Sequence, residues 1–281
     1  MRDVAGMILI TPANDPASLL ISDIATALGI PILMSAQPHG ARLEREPDLI
    51  LRIREVNPHA KTLIIVEIPG PAIEEELEVA GFRVVIIDHH RYDGIDRMRQ
   101  TSSLEQVIAY FAVDDALLRT HGFDPTLVRG VGAIDRGFVW ELAADGLTEH
   151  DQRRVRAYFR DLSLRVGGGW EDEEREARKA WGTKREEAGM FVVESERTDM
   201  SIRAALSFIL ADEIGAPHPM LIRQGDWRVY VQDSVDAKRL YETFGGFTFG
   251  RDRCWGFSAE QGKPTPSIDA ILDVIRSQQS P

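Results

Sequence analysis

Cysteine is almost missing from this sequence; Cys254 is the single one. One thiol closes no internal disulfide, so the fold must stand on packing alone, and the usage fits a reducing cytoplasm. A structural zinc site built on thiolates is excluded for the same reason. Long apolar runs are missing too: none approaches the roughly 20 residues needed to span a bilayer. The N-terminus lacks a basic region followed by an apolar core, so a cytoplasmic protein with no membrane partner is expected. Positive charge is short, 33 Lys and Arg against 45 Asp and Glu, for a formal net charge of -12. Generic binding of long nucleic acid rests on neutralising phosphates with cations and is therefore not expected. Divalent metals and small phosphorylated ligands remain compatible with such a chain. Acid runs such as Glu74-Glu75-Glu76 and Glu171-Asp172-Glu173-Glu174 read as solvated helix faces.

What is present is ordinary globular material, 43% hydrophobic and 28% charged over 281 residues, enough for about two domains. The first half alternates short apolar runs with helical patterns, the mark of βαβ units around a parallel sheet. Strands are expected at 7–11, 30–34, 62–68 and 82–87, with helices at 17–28, 48–56 and 72–80 between them. Gly29 and Gly81 stand where helices should stop. A helix over 103–118 and a short strand over 128–134 ending in Asp135 follow. Charge-rich helical sequence then runs over 148–187, with Gly167-Gly168-Gly169 as a linker. Beyond 190 the pattern changes to strand, helix, strand, strand, a glycine-rich turn at Phe244-Gly245-Gly246 and a final helix near 268–275. The expected organisation is α/β: an N-terminal parallel-sheet domain (1–147), a helical connection (148–188) and a smaller C-terminal α/β domain (189–281), with a cleft between the domains.

The run Val84-Val85-Ile86-Ile87 reads as a central strand, and it ends abruptly in Asp88-His89-His90. In parallel sheets ligands sit beyond the carboxyl ends of strands, where these three residues fall. Three other strand ends deliver acids: Asp15, Glu67 and Asp135. Oxygen and imidazole donors gathered on one sheet edge suit Mn²⁺ or a related divalent ion. Each position also has a plain structural use. Asp15-Pro16 is a good helix N-cap and N1 pair, Glu67 is an ordinary strand-end acid, and Asp135 stands beside Arg136 as if to pair with it.

In Ile86-Ile87-Asp88-His89-His90 and Ile134-Asp135-Arg136-Gly137 the chain resembles the DHH phosphoesterase superfamily, which includes RecJ-type exonucleases, oligoribonucleases, cyclic-dinucleotide phosphodiesterases and manganese pyrophosphatases. The stretch from Ile8 to Ala17 looks like that family's first motif and Leu63-Ile64-Ile65-Val66-Glu67 like its second. The resemblance implies a DHH domain joined to a smaller substrate-binding domain, with Asp15 and Glu67 on a first metal and Glu67, His89 and Asp135 on a second. It gives His90 a substrate contact or proton donation, and Asp88 the orientation of the pair. The first motif is incomplete, since Thr11 and Ala17 stand where the family has further ligands, and Glu67 replaces an Asp. In the C-terminal half, Val231-Gln232-Asp233-Ser234 and the run from Phe244 to Arg251 match the substrate-binding motifs. There Asp233 stands in place of an arginine, and the expected histidine is missing. Gly245, Gly246, Arg251 and Arg253 are then the substrate-binding candidates; the two arginines read equally as surface residues. Phe247, Phe249 and Trp255 are able to stack a base, or to pack the core. The implied activity is Mn²⁺-dependent hydrolysis of a small phosphodiester or phosphomonoester, such as a short oligonucleotide, with one or two ions, Mg²⁺ being an alternative. The other reading is a catalytically impaired descendant of the fold that binds a ligand or partner.

Overall fold

A computed structural model describes residues 4–92, 94–167, 169–259 and 264–277. The chain begins as β1 (Met7–Pro12), α1 (Pro16–Ala27), β2 (Ile32–Ser35), α2 (Leu49–Val56), β3 (Thr62–Val66), α3 (Pro71–Val79) and β4 (Arg83–Ile87). It continues through a hairpin, β5 (Arg91–Tyr92) and β6 (Ile95–Asp96), into six helices: α4 (Ser103–Phe111), α5 (Asp115–Thr120), α6 (Pro125–Gly137), α7 (Trp140–Ala144), α8 (Glu149–Arg165) and α9 (Trp170–Gly182). The last stretch holds β7 (Arg185–Glu187), β8 (Met190–Ser195), α10 (Arg203–Glu213), β9 (Met220–Gln224), β10 (Arg228–Gln232), α11 (Ala237–Phe244), β11 (Phe247–Phe249), β12 (Cys254–Ser258) and α12 (Ile268–Arg276).

Two compact units result, and both are discontinuous in sequence. The first is Met1–His89, Thr101–Asp135 and Thr148–Gly167, and the second is His90–Gln100, Arg136–Leu147 and Gly168–Pro281. The boundaries expected at 147 and 188 therefore fall elsewhere: α8 joins the first unit, α9 joins the second, and the hairpin after His89 leaves the first unit for the second. Gly168 of the expected linker lies outside the described residues. No helix among the described residues is long and apolar enough to cross a membrane.

The first unit carries a four-stranded parallel sheet in the order β2-β1-β3-β4. Its central strands are apolar almost throughout, and Ile8, Leu9 and Ile10 of β1 and Leu63 to Val66 of β3 are fully buried. That is what a strand covered on both faces requires. Ile8, Ile10, Leu63 and Ile65 face Leu49, Ile53 and Leu77 of α2 and α3, while α1 and α4 contact strands of the same sheet. Chain order reverses between β1 and β3, so the sheet has a switch point there, and β3 opens beside β4. β4 is an edge strand rather than the central one its apolar run suggests; Val84, Val85 and Ile86 are only half-buried.

Local chemistry explains the helix limits. Asp15 accepts the Ser18 N–H at 2.7 Å while the Ser18 hydroxyl accepts from the Asp15 N–H at 3.2 Å, a reciprocal cap, and Pro16 pre-sets the first turn. At the other end Gly29, at φ 70°, lets Ile30 N–H bond Ala25 O and its own N–H bond Thr26 O. Gly81 repeats the device after α3, giving N–H bonds from Phe82 to Leu77 and from Gly81 to Glu78. The helix expected over 103–118 breaks at Ala112, which turns left-handed at φ 52° before Asp114 caps α5.

The stretch 128–134 is not a strand. It is the body of α6, so Asp135 arrives on the last turn of a helix and not on a strand end. Val, Ile and Gly depress helix propensity and made the segment look extended. Close packing reverses the balance: a Cβ on Gly130 would lie 2.3 Å and 2.5 Å from the two γ-carbons of Val155 on α8, and one on Gly132 would lie 3.2 Å from the Ser102 hydroxyl and Glu105. The glycines let α6 approach its neighbours.

The second unit is built on an eight-stranded sheet, β6-β5-β11-β12-β10-β9-β8-β7, antiparallel except for the β8–β9 pair. Val229, Val231, Trp255 and Phe257 on one face pack against Leu240 of α11 and Ile271, Leu272 and Ile275 of α12. β11 and β12 lie between the expected turn at Phe244-Gly245-Gly246 and the final helix, where the sequence pattern marks no strand.

Gly130→Ala tests the helix contact. In an exposed helix it would stabilise by up to about 1 kcal/mol; here we expect a loss of about 1–3 kcal/mol in chemical denaturation, largely restored by adding Val155→Ala. A second test concerns Glu46, a buried carboxylate bound by Ser35, Gln37 and, at 2.7 Å, Arg52. Burial pushes its carboxyl up, but the hydrogen bonds from Ser35, Arg52 and Gln37 outweigh that and hold it below the usual value. A depressed carboxyl stabilises the fold above its unfolded pKa, and the contribution disappears as pH falls through the folded value. Glu46→Gln should cost about 1–2 kcal/mol at pH 7, and the gap from wild type should close in melts taken below about pH 4.

Candidate metal centre

The site grows from the parallel pairing of β3 with β4. Val66 is in register with Ile87, and Glu67 N–H still bonds Ile87 O at 3.0 Å, so Glu67 and the Asp88-His89 turn emerge side by side. Glu67 then turns left-handed at φ 53°, ahead of Pro69-Gly70-Pro71. A non-glycine residue in that region carries strain of about 1 kcal/mol and persists where the surroundings over-determine it. Asp88 is 2% exposed; its Oδ1 accepts the His89 N–H at 2.8 Å, and its carbonyl accepts from Gln106 Nε2 at 3.1 Å. These bonds fix the turn on which His89 sits, with Gln106 reaching in from α4.

His89, also 2% exposed, points Nε2 between two carboxylates. Glu67 Oε1 lies 3.2 Å away and Asp135 Oδ2 3.5 Å away. Burial alone would push the imidazolium down, but Asp135, Glu67 and Asp88 outweigh it and raise His89 to about 10. The cluster holds positive charge strongly. Asp135 adds to this from the last turn of α6, the negative end of the helix, where a carboxylate is misplaced by about 0.3–1 kcal/mol unless a cation stands near. Two oxygen donors and one imidazole nitrogen, all three atoms buried, are a donor set suited to a hard or borderline divalent ion.

The other expected residues have other surroundings. Asp15 is the cap of α1, with Oδ1 committed to Ser18 N–H. Thr11 is fully buried and its hydroxyl donates to Pro12 O at 3.1 Å. Arg136, next in the chain after Asp135, binds Glu141 at 3.0 Å and Asp145 at 2.7 and 2.6 Å. His90 opens the second unit, half-buried, its ring 5.7 Å from Tyr92.

Within the second unit the proposed substrate residues are structural or paired. Gly245 ends α11 at φ 75°, and its carbonyl accepts the Trp255 indole N–H at 2.8 Å. Gly246, at φ 88°, lies where a Cβ would stand 2.3 Å from Gly256 O. Arg251 binds Gln100 O at 3.2 Å and Glu141 at 3.2 Å. Arg253 faces Asp233 at 3.8 Å and donates to its carbonyl at 3.4 Å. Trp255 is core. Sequence reasoning missed Arg203, half-buried over the rings of Phe249, Phe138 and Tyr230 at 4.5, 5.3 and 5.6 Å. No local motif announces it, because the three rings come from three separate segments.

No family model matches the chain, and no curated protein does. Among solved structures it is similar to an exonuclease RecJ bound to manganese, at 16% identity over 97% of this chain and 88% of that one, with a TM-score of 0.43. It is also similar to PggH, a pGpG-specific phosphodiesterase from Vibrio cholerae, at 11% identity over 96% of this chain and 99% of the other, with a TM-score of 0.42.

If Glu67, His89 and Asp135 form a metal site, Mn²⁺ should bind the purified protein, and His89→Ala should weaken that binding at least about 100-fold in a calorimetric titration. Unchanged affinity in the variant would remove His89 from the ligand set.

Proposed function

We propose that the protein is a divalent-metal-dependent phosphoesterase acting on a small phosphodiester or phosphomonoester, a short oligonucleotide or nucleotide, with water as the nucleophile. The observation that carries this reading is the carboxylate–imidazole–carboxylate cluster of Glu67, His89 and Asp135 at the carboxyl edge of a parallel sheet. Its donor set fits Mn²⁺, with Mg²⁺ an alternative. Glu67, His89 and Asp135 would hold the ion, and a bound divalent ion supplies Lewis-acid activation of water and neutralises phosphate charge. Asp88 fixes the turn that aims His89. His90, next in the chain and half-buried, is the group assigned to substrate contact or proton donation. The deficit of cations favours short substrates over long strands, since long strands gain affinity mainly from phosphate neutralisation.

A second reading, a catalytically impaired relative that binds a ligand or partner, is favoured by specific features. Asp15 is engaged as a helix cap, Thr11 and Ala17 are buried without carboxylates, and Arg251 and Arg253 are ion-paired to Glu141 and Asp233. The two readings separate in one assay. With Mn²⁺ present, hydrolysis of a dinucleotide should outpace that of a long single strand, and Asp135→Asn should lower the rate at least about 100-fold. Metal binding with no turnover of either substrate would favour the binding protein, and processive degradation of the long strand would overturn the preference for short substrates.

A further inference from the structure

Three consecutive residues of the second unit, Gly250, Arg251 and Asp252, hold left-handed backbone at φ 59°, 57° and 58° in the turn from β11 to β12. Glycine takes that conformation freely, but Arg251 and Asp252 each press a Cβ towards the following carbonyl, and such residues normally stand there singly. Backbone of this kind persists where the surroundings over-determine it. Here the surroundings are specific side-chain bonds.

Both strained side chains reach the same segment, the one that runs on from Asp88-His89-His90. Asp252 accepts from Arg91 Nη2 at 3.1 Å, and its other oxygen accepts from the Thr248 hydroxyl. Arg251 donates to Gln100 O at 3.2 Å. The turn therefore clasps residues 90–100 near both ends, across sequence separations of 161 and 151 residues. Strands of two residues each, β5 and β6, do not hold a hairpin in water by themselves. The clasp supplies the order. Arg91 also pairs with Asp96 at 3.2 Å and lies over the Tyr241 ring at 6.0 Å, while the Tyr241 hydroxyl donates to Tyr92 O at 2.6 Å. Thr248 and Phe247 of β11 pair in turn with Arg91 and Tyr92. His90 is held by the same hairpin: its carbonyl accepts the Arg97 N–H at 3.1 Å, and its ring stands 5.7 Å from that of Tyr92.

We propose that Asp252 is a positioning residue for His90: through Arg91 it sets the hairpin that aims the His90 ring, and the left-handed turn is the strained element that keeps Asp252 within reach. The inference rests on the phosphoesterase reading only for what His90 does to a substrate; the clasp is a property of the second unit alone. The test uses the full chain. Asp252→Gly removes the carboxylate together with the strain of its backbone position, so the variant keeps the fold. In the proton NMR spectrum the ring Cε1–H line of His90, assigned by its loss in His90→Gln, carries the ring-current shift of Tyr92, and Asp252→Gly should move and broaden it at fixed pH. Mn²⁺ affinity should stay unchanged, while kcat for a dinucleotide falls at least about tenfold from misplacement of the ring. Asp252→Asn, which keeps hydrogen-bonding capacity at the position, should recover part of both effects. An unmoved His90 line in the folded Gly variant overturns the proposal, even if the melting temperature drops. Joint loss of Mn²⁺ binding and activity overturns it too, because the defect would then lie in the metal centre. If the Gly variant fails to fold, Tyr241→Phe decides: deletion of that one hydroxyl frees Tyr92 O, and an unmoved His90 line there overturns the clasp. A line that moves in a protein without turnover would sink the phosphoesterase reading and leave the clasp standing, and turnover with an unmoved line would do the reverse.

Discussion

An imidazole ring held between two carboxylates in a nearly dry place sets the terms for the first unit. Glu67, His89 and Asp135 come from the end of a strand, the turn after its neighbour and the last turn of a helix. Left without a cation, the two carboxylates would repel each other across a space with little water to screen them. His89, raised to about 10, satisfies them as a cation, and a divalent ion offers the same compensation with more charge. Two local costs meet at this point: the left-handed backbone of Glu67 and the acid at the negative end of α6. Strain and misplaced charge that converge on one cluster are more readily explained by a ligand than by folding.

The elements around the cluster serve to fix those three side chains. The β3–β4 register brings Glu67 beside the Asp88-His89 turn, and Gln106 of α4 holds that turn through the Asp88 carbonyl. Gly130 and Gly132 let α6 settle against α8 and the start of α4, which delivers Asp135. Packing in the helical layer therefore sets where Asp135 lies at the sheet edge.

In the second unit, charge has been spent on structure. Arg136, Arg251 and Arg253 are tied to Glu141, Asp145 and Asp233, and burial pushes the Asp233 carboxyl up while Arg253 pulls it the other way. Cys254 is equally committed to the interior; burial pushes its thiol up to about 12, far from a reactive thiolate.

The sequence by itself determined the parallel α/β layout, because each buried strand is a near-continuous apolar run and the stops after α1 and α3 are glycines, Gly29 and Gly81, whose left-handed conformation no other residue adopts as easily. It also marked Glu67, Asp88, His89 and Asp135, since acids and histidines that break an apolar run are visible in one dimension. Only the tertiary structure decided that Asp135 rides on a helix, because the low helix propensity of Val128, Gly130, Val131 and Gly132 was overridden by contacts with Val155, Ser102 and Glu105, distant in sequence. Tertiary structure likewise made Val84 to Ile87 an edge strand, paired Arg251 and Arg253 with acids, and set Arg203 on rings from three segments. Composition and periodicity record what a residue is and what its neighbours are. Strand order and side-chain partners depend on long-range packing that no local pattern encodes.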